Sequence, residues 1–211
     1  MAQLPSLPDH AFDKLDPTPD AQFYDFPRFV THIDDGAITA VTSIYRSFVP
    51  SGGAILDLMS SWVSHLPDDV TYAEVVGHGM NADELAANAR LARWFVQDLN
   101  ADPALPLSSG TFDAATLCVS VQYLQRPVDV FREVLRVLKP AAPFVVSFSN
   151  RCFPTKAVRI WQSLDGPQQQ RLVAAYMDAA GFTGIDGYAH TPAGADPLWA
   201  VVGHAPQTVE P

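Results

Sequence analysis

The sequence predicts an α/β fold: an open seven-stranded sheet, mostly parallel, with helices on both faces and a closing antiparallel hairpin. Three observations carry that expectation. From residue 54 onward, apolar runs alternate with helical patterns five times. Residues 112–120 (FDAATLCVS) are almost wholly apolar, the mark of a parallel strand buried on both faces. The last two apolar runs have no helix between them, so they pair antiparallel.

The first 50 residues precede the alternation and read as an N-terminal arm and helical lid. Four prolines (Pro5, Pro8, Pro17, Pro19) keep residues 1–22 extended. Pro27 suits the first turn of a helix carrying Arg28 and His32, four apart and so on one face. After Asp34, Asp35 and Gly36, a stripe of Ile38, Val41, Tyr45 and Phe48 marks a second helix that Pro50 ends.

Residues 51–205 form the main domain. Residues 54–58 make the first strand, ending beside Asp57, and 61–66 a short helix with Ser61 as its cap. The second strand is 71–77. Asn81 then caps a helix in which Glu84, three residues on, completes a capping box. Residues 94–97 make a third strand that stops at Asp98, and 112–120 the fourth. Pro127 opens an amphipathic helix with Val128, Phe131, Leu135 and Leu138 inward and Arg132, Glu133 and Arg136 toward water; Lys139 and Pro140 stop it. Residues 144–148 are the fifth strand, 155–164 and 168–180 are helical, and Gly181 closes the second of these. Residues 182–188 and 198–204 are the final hairpin, and 206–211 a loose tail. The whole is Rossmann-like, and in such sheets ligands sit beyond the carboxyl ends of the strands, where strand order reverses.

Composition excludes several roles. Thirteen basic against 23 acidic side chains give a net charge of −10, which repels phosphate backbones, so nucleic acid is not an expected partner. No apolar stretch approaches the roughly 18 residues of a membrane span, and the first ten residues lack a signal-peptide pattern. A cytoplasmic protein is expected. Cys118 and Cys152 are isolated and read as reduced thiols. Neither they nor His65, His190 and His204 have metal-ligand spacing, so no metal is expected.

The strand ends bring together Asp57, the 77–81 loop, Asp98, Ser120 and Asn150. ILDLMSSW, VVGHGMNADEL, QDLN and the block FDAATLCVSVQYLQRPVDVFREVLRVLKPAAPFVVSF follow one another at these ends. The pattern resembles the class I S-adenosylmethionine-dependent methyltransferases, in the small-molecule, type 11-like branch that includes quinone C-methyltransferases. The likeness covers residues 50–205, and LRVLKP before a strand is its most specific element. It implies S-adenosyl-L-methionine as cofactor, S-adenosyl-L-homocysteine as product and a small-molecule methyl acceptor.

The resemblance implies that Asp57 and the backbone after it hold the cofactor's methionine end. It also implies that Asp98 accepts from the adenine amine, that Leu99 covers the ring, and that Ser120 lies near the sulfonium. Two departures stand out. Met59, Ser60 and Ser61 replace the usual glycines of the first turn, and the expectation is that the two serine hydroxyls donate to the cofactor's carboxylate instead. By the resemblance, Gly79 stands where relatives carry the acid that accepts from the ribose hydroxyls, leaving His78 and Asn81 as the nearest polar substitutes. Met59, Ser60, Ser61, Gly79, Met80 and Asn81 therefore join the cofactor set.

Methyl transfer from a sulfonium is an in-line displacement from an activated donor, so positioning and water exclusion matter most and a base is optional. The resemblance lays the N-terminal segment over the methyl, which makes Tyr24, Arg28 and His32 the candidate catalytic residues, with Arg28 an alternative clamp for an anionic acceptor. Trp62, Gln122, Tyr123 and Asn150 are candidates to line the acceptor pocket. A methyltransferase-like module that binds without catalysis is the alternative, motivated by the glycine-free turn and the missing acid. A nicotinamide enzyme is disfavoured because no GxGxxG follows the first strand.

Overall fold

The structure, a computed structural model, describes residues 7–207. Residues 1–6 of the expected arm and 208–211 of the expected tail lie outside the described residues. The elements are α1 (Asp20–Phe23), α2 (Asp35–Phe48), β1 (Ala54–Leu58), β2 (Glu74–Gly79), α3 (Ala82–Ala87), β3 (Arg93–Val96), β4 (Ala114–Cys118), α4 (Pro127–Val137), β5 (Pro143–Ser149), α5 (Arg159–Gln162), α6 (Gly166–Ala180), β6 (Thr183–His190) and β7 (Leu198–His204).

The seven strands form one sheet in the order β3-β2-β1-β4-β5-β7-β6. The first five are mutually parallel, and β7 runs antiparallel to both β5 and β6. Every residue of β5 is buried, because helices cover both faces of the sheet. Strand alternation sorts the side chains. Ile55, Val75, Val145 and Val202 pack against Ala37, Val41 and Tyr45 of α2. Leu56, Val76, Phe144 and Val146 fall on the other side, with Val130, Phe131 and Val134 of α4 and Val173, Tyr176 and Met177 of α6. No helix of the described residues is long and apolar enough to cross a membrane.

Three expectations about local structure are corrected. No helix starts at Pro27: the single turn α1 lies before it, and residues 25–33 are irregular. Their backbone groups are held by tertiary partners, since the Asn81 amide donates to the carbonyls of Tyr24 (2.9 Å) and Asp25 (3.1 Å), and Trp62 Nε1 donates to that of Val30 (3.0 Å). Residues 61–66 form no helix either. Ser61 gives its hydroxyl to Glu84 rather than to a helical N–H, His65 takes a left-handed backbone (φ 53°), and Pro67 follows at once. Glu84 closes no capping box, although Asn81 does cap α3 by accepting from the N–H groups of Asp83 and Glu84.

Smaller shifts follow the same logic. The second strand starts at Glu74, later than expected, and runs on to Gly79. The fourth keeps only its centre, and α4 buries Val130, Phe131, Val134 and Val137, with Val128 and Leu135 at the margin. The capping box that does form is at α6, between Asp165 and Gln168, and Gly181 ends that helix at φ 105°.

Candidate active site at the carboxyl edge of the sheet

Strand order reverses between β1 and β4, and beyond their carboxyl ends lies a cavity of about 370 Å³ roofed by the segment from Asp20 to Ile33. Asp57 enters from β1, His78 and Gly79 from β2, Asp98 and Leu99 from the end of β3, and Cys118, Val119 and Ser120 from β4. Arg151, Cys152 and Phe153 follow β5 along its far side.

The turn after β1 is built without glycine, and its polar groups are mostly committed. Met59 takes the left-handed backbone (φ 53°) that glycine would take freely. Its N–H donates to His78 Nδ1 (3.1 Å), and the Ser60 N–H donates to the His78 carbonyl (2.6 Å). Because Nδ1 must accept, the proton of His78 sits on Nε2, which donates to the Gln97 carbonyl (3.0 Å). Burial pushes this imidazole down to about 4, so it is neutral. Ser60 donates its hydroxyl to Asp57 (2.5 Å) and Ser61 to Glu84 (2.6 Å). Both serine hydroxyls, expected to donate to a cofactor carboxylate, here donate to carboxylates of the chain itself.

Asp57 also accepts from Thr116 Oγ1 (3.0 Å), and burial raises its carboxyl above the ordinary value against the pull of these hydroxyls. Glu84 accepts from the Arg28 N–H (2.7 Å) as well as from Ser61, so one carboxylate of α3 joins the roof to the turn. Sequence reasoning missed Glu84 as a cavity residue, and it named His78 for the ribose rather than as the acceptor of the Met59 N–H. Glu84 looked like a cap of α3 because it stands three residues after Asn81.

Of the candidate catalytic residues, Tyr24, Arg28 and His32 all line the cavity. Tyr24 is pushed far above its ordinary value by burial, so its hydroxyl keeps its proton. Arg28 donates to the carbonyls of Phe23 (2.9 Å) and Phe26 (3.3 Å) and lies over the Phe23 ring at 4.5 Å, which leaves it poorly placed to clamp an anion. His32 is lowered, chiefly by desolvation. Met59, Ser60, Ser61, Gly79, Met80, Asn81, Asp98, Leu99 and Ser120 line the same cavity, with Trp62 and Tyr123. Gln122 and Asn150 do not. Gln122 is fully buried, donating to the Val119 and Arg151 carbonyls, and Asn150 lies exposed past the end of β5.

The donor set fits part of a sulfonium nucleoside. Leu99 is buried and its N–H has no partner among the described residues, so a donor stands at the adenine side next to the Asp98 acceptor. The carboxylates of Asp57 and Glu84 and the serine oxygens suit an ammonium. Among the described residues no group of three or more His, Cys, Asp or Glu is arranged to hold a metal.

Residues 57–146 match the family model of the methyltransferase domain. No curated protein sequence matches the chain. Among solved structures, phosphoethanolamine N-methyltransferase 2 of Haemonchus contortus, in complex with S-adenosyl-L-methionine, superposes with a TM-score of 0.59 at 14% identity. That alignment covers 80% of this chain and 53% of the Haemonchus protein, so the chain spans about half the latter's length. The [4+2]-cyclase SpnF superposes with a TM-score of 0.60 at 15% identity, over 86% of this chain and 88% of that one. A putative methyltransferase of Haloferax volcanii, solved with its Trm112 activator, gives 0.58 at 18% identity over 82% and 91%. Residues 57–146 thus match the methyltransferase domain, and the fold around them is shared with these superposed structures.

Proposed function

We propose that the chain binds S-adenosyl-L-methionine in this cavity and transfers its methyl group to a small-molecule acceptor. The observation that carries the reading is the cavity's position: it lies at the switch point between β1 and β4, within the matched region, with Asp98 and Leu99 at one end and Asp57 beneath. The cofactor supplies a methyl already activated on a sulfonium. Asp98 and the Leu99 N–H hold the adenine, and Asp57 with Ser60 accepts from the ammonium. Met80 and Asn81 border the ribose. Ser120 stands at the β4 end toward the reacting carbon, and the roof residues Tyr24, Arg28 and His32 exclude water from it. Trp62 and Tyr123 flank the acceptor. The enclosed volume favours a small acceptor, and the charge of −10 disfavours nucleic acid. Two unpaired cysteines fit a cytoplasmic setting.

A second reading, a module that binds without methyl transfer, is favoured by one feature: the turn after β1 has committed the N–H groups of Met59 and Ser60 internally. Calorimetry with S-adenosyl-L-homocysteine tests the first reading, and binding without turnover across varied acceptors would favour the second. Saturable micromolar binding, weakened about tenfold by Asp98→Ala, is expected from the loss of one hydrogen bond to the adenine. No binding at millimolar ligand removes both the cofactor and the activity.

A further inference from the structure

Away from Asp98 and Leu99, the cavity is lined by two histidines whose rings make no hydrogen bond among the described residues. His32, in the roof, sets its ring edge-on against Phe153, with centroids 5.4 Å apart at 79°. Phe153 follows β5, four strands across the sheet from the end of β3 where Asp98 stands. His65, in the loop after β1, accepts at its carbonyl from Thr42 Oγ1 of α2 (3.0 Å), and α2 packs on the face of β5 and β7. Both histidines line the cavity. The rings of His78 and His204 contact backbone carbonyls, whereas those of His32 and His65 make no hydrogen bond within the described residues.

Backbone strain marks the same place. Met59, His65 and Val119 all have positive φ (53°, 53° and 48°) and all line this cavity; the other such non-glycine residue among those described, Ala141, does not. A β-branched residue in that region costs free energy, and such residues collect where function holds them.

The walls at this end are aromatic and their cations are spent. Tyr123 stacks on Phe153 (6.0 Å, 27°), and Trp62 lines the cavity nearby. Arg28 is occupied by carbonyls and by the rings of Phe23 and Phe153, and Arg151 pairs with Asp196 (2.8 Å). An uncharged aromatic ring suits such walls; a phosphate or carboxylate does not. We propose that His32 and His65 together accept the proton of the methyl acceptor, and that this acceptor is an aromatic hydroxyl compound, a proposal that rests on the methyltransferase reading above.

A bond from the acceptor oxygen to the methyl carbon replaces the carbon–sulfur bond, whose electrons stay on sulfur, and the oxygen's proton goes to an imidazole nitrogen. A phenolic proton, with a pKa of about 10, lies within reach of a neutral imidazole; an aliphatic hydroxyl is far less acidic. Partial burial lowers both imidazoles, and a charge on His32 lowers His65 further. The groups facing them act in both directions. Glu84 favours the charged His32 and Arg28 opposes it. Tyr24, Tyr123, Cys118 and Cys152 are all held protonated by burial, as is appropriate for bystanders.

The probe is 4-nitrophenol, whose anion absorbs visible light, titrated into the full chain with and without S-adenosyl-L-homocysteine. Bound reporter is expected to ionise about one pH unit below its value in buffer, because the proton is transferred to the pair. His32→Gln and His65→Asn should each remove at least about half of that shift while leaving homocysteine-nucleoside affinity within about twofold, since asparagine tolerates the left-handed backbone at 65. Should His65→Asn not fold, His32→Gln in the exposed roof carries the test. Absence of saturable reporter binding, or ionisation that neither substitution alters, overturns the proposal. Failure of the nucleoside itself to bind, seen by calorimetry on the same preparations, overturns instead the reading beneath it.

Discussion

Gly79, at the end of β2, leaves no room for a side chain: a Cβ there meets the Ser60 carbonyl oxygen at 2.5 Å and Leu85 at 3.2 Å. The acid that the family resemblance puts at this place is therefore excluded by the way the glycine-free turn folds down on the strand. Gly79→Asp should lower stability by about 1–3 kcal/mol through overpacking and weaken rather than improve cofactor binding. Urea unfolding and calorimetry on the one variant check both halves. The neighbouring His78 ties stability to pH. Its folded-state value lies near 4 against an ordinary 6.5, so the unfolded chain takes the proton first, and stability falls as pH drops through that window. The full loss, at about 1.4 kcal/mol per unit, is about 3 kcal/mol by pH 4. His78→Asn keeps an acceptor for the Met59 N–H and removes the titration. The unfolding free energy of wild type minus that of the variant, from urea titration, should therefore fall by about 3 kcal/mol between about pH 7.5 and about pH 4, and a constant difference would refute the assignment.

At the scale of elements, the N-terminal strap shows most clearly what ties the roof down. Lys156, after β5, is fully buried, and its ammonium donates to the carbonyls of Asp16 (3.4 Å) and Thr18 (2.6 Å) and to Thr18 Oγ1 (3.2 Å). It lies 3.1 Å from the Asp16 carboxylate and 3.5 Å from that of Asp20. Asp20 in turn binds buried Lys14 and accepts from Asn100 Nδ2 (2.9 Å), reaching the loop after β3. Lys156→Ala removes a fully buried cation from buried Asp20, which keeps Lys14, and from the more exposed Asp16 and Thr18, and should cost about 1–3 kcal/mol in urea unfolding. Lys156→Met, which keeps the apolar stem, should recover only the packing part. None of this was legible in the sequence, where the strap read as proline-rich and extended, because every partner is more than 50 positions away except Asp20 itself for Lys14. Helix α2, by contrast, was legible from its stripe, and α6 from Gly181, since both signals are local.

For the whole molecule, the sequence by itself determined the architecture. The alternation of apolar runs with helical patterns, the doubly buried fourth strand and the helix-free final pair leave few ways to cover two sheet faces, and the observed strand order is one of them. It also determined that Asp57, Asp98 and Ser120 come to the carboxyl edge of the sheet, where they line one cavity with Leu99. Tertiary structure alone decided the direction of the hydrogen bonds inside that cavity. Ser60 and Ser61 give their protons to Asp57 and Glu84, residues 25–33 stay irregular because Asn81, Glu84 and Trp62 hold them, and Gln122 and Asn150 are turned elsewhere. The physical reason is that periodicity records burial, which each residue carries along the chain. A hydrogen bond needs two groups, and the second is chosen only when distant segments come together.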